Sequence, residues 1–232
     1  MPGIDRIRRS RRRPGTLEIA RAERSLVPLA RGLAALAGFF DAAGFLAFGR
    51  IYLAAPVANA TILGVELAGM QSFQLVGTAL LSFLVGVVLT TLCAHGLAHW
   101  RRTAILSGVA TAILVAFLFL EAGDIYLALV LLAAAAGGLH CILERDPQHL
   151  QEGMFPSAQM IRLGDALGSR WDSKNSGLIV DHSLFWLCFI AGGVLGTTAW
   201  LGTGQWVLAI ASLGTGLFAV YVWSIERNLR AR

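Results

Sequence analysis

The sequence predicts an all-α integral membrane protein of six transmembrane helices. It expects two inverted repeats of three crossings, each with a short re-entrant or interfacial helix. Three observations carry this. Of the 232 residues, 56% are hydrophobic and only 14% charged, about half the charge that a water-facing surface of this size uses. Six apolar runs approach the roughly 20 residues that a spanning helix needs. Finally, Pro56, Ala58, Leu63, Gly64 and Leu67 return without a gap as Pro156, Ala158, Leu163, Gly164 and Leu167.

The elements follow in chain order. Residues 1–31 form a basic tail with Arg6, Arg8, Arg9, Arg11, Arg12, Arg13, Arg21, Arg24 and Arg31. Nine of the 19 basic residues therefore precede Gly32. On so apolar a chain this excess points to anionic lipid headgroups, not to nucleic acid. The tail lacks the short apolar stretch and small-residue cleavage site of a secretory signal. Asp5, Glu18 and Glu23 also argue against a transit peptide. It reads as a retained cytoplasmic segment.

The expected spans are Gly32–Phe48, Leu75–His95, Thr103–Leu120, Ile125–Leu143, Ser183–Leu201 and Trp206–Ile225. Two further segments, Ala58–Gly69 and Pro156–Arg170, are helical in character but too short or too polar to cross. They either re-enter the bilayer or lie on its surfaces. With six crossings and the tail inside, 18 of the 19 basic residues face the cytoplasm and only Arg50 faces out. Eight crossings would put Arg101 and Arg102 outside. The positive-inside bias thus selects six, with both termini cytoplasmic. The first membrane repeat is expected over residues 32–121 and the second over 125–228.

The repeat extends beyond the short segments. Asn59 meets Gln159 in the same register. Phe83, Gly86, Val88, Leu89 and Thr91 match Phe189, Gly192, Val194, Leu195 and Thr197, while Leu33, Ala37 and Gly38 match Leu132, Ala136 and Gly137. That register sets Asp41 opposite His140. Three crossings per unit is odd, so one unit must be inverted relative to the other, as in many secondary transporters.

Polar groups inside such a chain are the candidates for function. Asp41 lies nine residues beyond Gly32, about 13 Å along a helix and near mid-bilayer. A charge there must be matched by a proton, an ion or a partner. His140 is expected near the cytoplasmic end of the fourth span, as a proton carrier or an interface group. Asn59 and Glu66 on the first short segment, and Gln159, Arg162 and Asp165 on the second, complete the set of solute or proton ligands. If those segments lie on the surface, these groups are simply solvated. His95 and His99 stand one helical turn apart, a spacing that suits metal. They lack a third ligand and adjoin Trp100-Arg101-Arg102, so they read as interface residues. Cys93, Cys141 and Cys188 sit in apolar runs without a CxxC pair and read as core hydrophobes. No phosphate-binding loop, HExxH or GxSxG is present, so neither an enzyme, a cofactor nor a metal site is expected.

The segment AGFFDAAGFLAFGRIYLAAPVANATILGVELA resembles the YoaK-like family of bacterial membrane proteins. Asp41, Asn59, Leu63 and Gly64 fit that family's first half, and Gly138, Leu163 and Gly164 fit the second more loosely. Val57-Ala58 and His140-Cys141 depart from its pattern. The resemblance covers roughly residues 32–225 and implies a bacterial inner-membrane location without supplying a reaction. The expected function is a transporter or permease for a small solute or ion, with Asp41 as the candidate for proton coupling. The rival is a membrane-embedded assembly protein whose polar residues only pack helices.

Overall fold

The computed structural model describes residues 16–97, 100–143, 156–168 and 175–230. Among these, all regular structure is helical. The helices are α1 (Thr16–Ala47), α2 (Pro56–Ala68), α3 (Gln74–Ala94), α4 (Arg101–Glu121), α5 (Ile125–His140), α6 (Pro156–Gly168), α7 (Asn175–Thr203) and α8 (Trp206–Arg230). Five contain stretches long and apolar enough to cross a membrane: Leu26–Ala47, Gln74–Ala94, Arg101–Glu121, Gly177–Thr203 and Trp206–Arg227. Their large apolar side chains are widely exposed, among them Leu81 and Leu92 on α3, Leu195 and Leu201 on α7, and Leu213 and Leu217 on α8. In water such a surface would aggregate; in a bilayer it meets hydrocarbon. The chain is a multi-pass membrane protein.

Three boundaries differ from expectation, and one of them is that α7 begins at Asn175 and not at Ser183. The first helix does not begin at Gly32 but at Thr16, and it runs through Pro28. It carries Arg31 inside the helix, where Asp181 of α7 pairs with it at 2.7 Å. The fourth apolar run does not stay helical to Leu143. Helix α5 stops at His140 after 16 residues, about 24 Å of rise, against a hydrocarbon thickness of about 30 Å. Two glycines weaken its last turn, and the Arg101 guanidinium takes the carbonyls of Cys141 and Ile142 at 2.6 and 3.2 Å. Those carbonyls are held from outside the helix. The short segments form 13-residue helices, each opened by a proline at its first position, where the missing N–H has no helical partner to lose.

Packing proceeds in pairs. Helix α1 lies against α7, α3 against α5, and α4 against both α8 and α5; α2 rests on α3 and α6 on α7. Helix α5 is the innermost, with Leu129, Leu132 and Leu139 fully buried, as a helix apolar on all sides should be. The first two pairs touch backbone to backbone. A Cβ added at Gly38 would overlap the Phe189 carbonyl oxygen, and one at Gly192 would overlap that of Ala35. In the other pair, a Cβ at Gly137 would overlap the Phe83 carbonyl, and one at Gly86 that of Ala134. Without a hydrophobic driving force between helices in lipid, this close approach supplies dispersion and Cα–H···O contacts instead.

Helices α4 and α8 run antiparallel and are tied at both ends. Glu226 near the end of α8 accepts from the Thr103 hydroxyl at 2.6 Å and the Arg102 amide at 3.3 Å. Glu121 at the end of α4 accepts from the Gln205 side chain at 2.7 Å. Between them the Ser212 hydroxyl donates to the Ala110 carbonyl at 2.8 Å.

Gly86→Val and Gly192→Val should each lower the melting temperature of the purified protein sharply, since a branched side chain must push two backbones apart at about 1–3 kcal/mol or more. Gly108→Ala and Gly214→Ala, which face open space, should leave it unchanged. Equal melting curves for the two sets would show that these helix pairs are not held at contact distance.

Candidate functional site

Expected polar residues converge at the connection between α1 and α2. Residues 48–55 are not helical, yet Phe48, Ile51, Leu53 and Ala54 are buried. Buried backbone outside a helix needs partners that the segment cannot provide itself. Asp41 supplies one: its Oδ1 accepts the Ala54 N–H at 2.6 Å. Asn59 supplies two, accepting from the Tyr52 N–H at 2.9 Å and donating Nδ2–H to the Tyr52 carbonyl at 2.5 Å. Asp41 is 6% exposed and Asn59 3%, so neither bond competes with bulk solvent. Gly49 and Arg50 take positive φ angles of 67° and 76° to turn the chain. The carboxyl also sits just ahead of α2, whose positive dipole end favours a negative group.

A second polar cluster lies where α6 and α1 meet α7. Gln159 is 1% exposed and its Oε1 accepts from His182 Nδ1 at 2.8 Å. Its Nε2, although buried, has no hydrogen-bond partner. On the same turn of α7, Asp181 holds Arg31, whose guanidinium lies 5.8 Å over the Phe185 ring. The Nε of Arg31 is likewise buried without a partner.

The remaining candidates are dispersed. His140 is half-buried, donates Nδ1–H to the Ala136 carbonyl at 2.9 Å and meets the Phe83 ring edge-on. Glu66 is half-buried, and its Oε2 is a buried oxygen without a partner. Asp165 and Arg162 are exposed on α6. No hydrogen bond joins Asp41 or Asn59 to Gln159, His140, Glu66 or Asp165. His95 Nδ1 bonds the Thr91 carbonyl within its own helix at 2.6 Å, while His99 lies outside the described residues, as does the arginine run before Thr16.

Sequence reasoning missed His182, Arg101 and Glu226. Arg101 reads as a cytoplasmic topology charge, yet it is only 6% exposed and binds the end of α5. Glu226 stands one residue past the expected last span, and it caps α4. Each partner lies dozens of residues away, where no local periodicity points to it.

Asp41→Ala should leave the Ala54 amide buried and unsatisfied, at about 1–3 kcal/mol. Asp41→Asn keeps an acceptor and should lose less. Asn59→Ala acts on the same connection, so the double variant with Asp41→Ala should lose less stability than the two single losses added. Thermal or chemical denaturation in detergent reads this coupling; strict additivity would mean the two side chains hold separate structures.

No curated protein and no solved structure matches this chain. One family model does, over residues 29–221, from the buried start of the α1 span to Tyr221 in α8. That stretch includes both polar clusters and every helix pair described above. By this match the chain belongs to the membrane-protein family described as Protein of unknown function (DUF1275).

Proposed function

We propose that the protein is a transporter for a small solute or ion, built as two inverted three-crossing repeats. In this reading α5 completes the sixth crossing together with Cys141, Ile142 and Leu143, all buried. These three residues continue as a hydrogen-bonded turn, which at a helical rise adds about 5 Å. The observation that carries it is the reciprocity of the glycine contacts. Moving 99 residues takes Ala35 and Gly38 to Ala134 and Gly137; moving 106 takes Phe83 and Gly86 to Phe189 and Gly192. The same two contacts therefore occur twice with the halves exchanged, and Glu121 and Glu226, near the ends of α4 and α8, each accept from the start of the other helix. Two like halves meeting on small residues can rock against each other, the usual route to alternating access. The short helices α2 and α6 would then sit on opposite sides of the membrane.

The chain further reads as a YoaK-like bacterial inner-membrane protein with both termini in the cytoplasm. Its N-terminal arginines would rest on anionic lipid, and it needs neither a cofactor nor a catalytic residue. Asp41 is the proposed coupling group. One observation favours the second reading, an assembly protein without transport: Asp41 is already engaged by the Ala54 amide, as a purely structural carboxyl would be.

Two experiments test this. With the native cysteines replaced by alanine, Thr203→Cys should react with an impermeant maleimide in intact cells, and Arg232→Cys only after permeabilisation; the reverse pattern overturns the topology. In proteoliposomes, a solute screen with and without a pH gradient should find gradient-driven uptake. Asp41→Asn should fold normally but lose it. Unchanged uptake in Asp41→Asn excludes the coupling role, and no uptake of any solute favours the assembly reading.

A further inference from the structure

We infer that the N-terminal turn of α6, with Gln159 and the α7 turn bearing Asp181 and His182, binds the carboxylate of a small organic anion. The inference rests on the proposed repeat and names a substrate class for the same transport reading. It starts from a difference between two matched places. At α2, Pro56 opens the helix and Asn59 stands at its fourth position; at α6, Pro156 opens it and Gln159 stands there. Side chains on a helix lean toward its N-terminus. Asn59 does so, reaching back to Tyr52, and Gln159 starts from the equivalent position.

The two ends are completed differently. At α2 the chain supplies its own carboxyl group: Asp41 accepts a backbone amide just ahead of the helix, and both ends of the Asn59 amide are satisfied. At α6 the residue in the register of Asp41 is His140, which is not an acid. Gln159 uses its oxygen on His182 and keeps two N–H donors buried without an acceptor. A buried unsatisfied donor costs about 1–3 kcal/mol, so an incoming acceptor would relieve it.

The surroundings favour a charged acceptor. Phe185 is three residues from His182 and four from Asp181, so all three share one face of α7. Arg31 meets Asp181 and Phe185 while Gln159 meets His182, so both side chains approach the same turn of α7. Asp181 balances the Arg31 charge through Nη2, and the buried Nε still faces no acceptor. Two unused N–H groups approaching that turn, one of them from the first turn of α6, suit a carboxylate, the group that the protein itself places just ahead of α2.

Titration calorimetry of the full chain in detergent tests this, with sodium acetate as probe and sodium chloride holding the ionic strength constant. Saturable acetate binding is expected, at least tenfold weaker in Gln159→Leu and unchanged in Thr198→Val on the outer face of α7. Should Gln159→Leu fail to fold, Gln159→Met keeps the length without the N–H donors and should bind acetate at least tenfold more weakly as well. Absent acetate binding, or equal binding by native and Gln159 variants, overturns the inference. So does saturable binding of methylammonium in place of acetate, which would mean that the amide presents its oxygen. These outcomes separate from the transport reading. Uptake of another solute by a protein that ignores acetate sinks only the carboxylate site, and acetate binding without uptake sinks only transport.

Discussion

A backbone amide buried away from water needs a partner, and the buried connection between α1 and α2 has to meet that constraint without being helical. Eight residues there are neither strand nor helix, and half of them are buried. Asp41 and Asn59 make the connection possible by lending it side-chain partners at Ala54 and Tyr52. Everything downstream depends on this. The direction in which α2 leaves, and so the seating of α2 on α3, follows from where those bonds hold the chain.

The same scarcity of partners explains the junction at the other end of α5. Its last carbonyls need donors, and Arg101 supplies two from the start of α4. The start of α4 in turn needs an acceptor, and Glu226 of α8 provides it. A cation at a helix C-terminus and an anion at an N-terminus each agree with the helix dipole. Trp100 stacks on Trp223, and Arg227 covers that ring. Three helices thus end in one polar and aromatic knot, and the charged groups in it tie helices together and do not merely mark the membrane edge.

Between these polar ends, the glycine contacts set how closely helices approach. Removing side chains at Gly38, Gly86, Gly137 and Gly192 lets carbonyl oxygens of the partner helix sit against bare Cα atoms. A side chain of any size would lose this contact, because lipid fills a gap as well as another apolar residue does. The large residues can then point outward, which accounts for their exposure on α3, α7 and α8.

Class and parts were legible from composition and spacing alone. Apolar runs, prolines that open α2 and α6, and the register joining Asn59 to Gln159 are local signals, and they locate most helix ends within a few residues, but not the starts of α1 at Thr16 and α7 at Asn175. Asp41 stood out because a carboxylate is expensive at that depth wherever its partner lies. What such signals cannot carry is the identity of partners. The bonds of Asp41 to Ala54, Arg101 to Cys141 and Thr103 to Glu226 span 13, 40 and 123 residues, far beyond the 3.6-residue period of a helix. Only packing brought these groups together. It shortened α5, buried an arginine that looked like a surface charge, and left the Gln159 amide half satisfied where its twin is complete, because a hydrogen bond depends on distance in space and not along the chain.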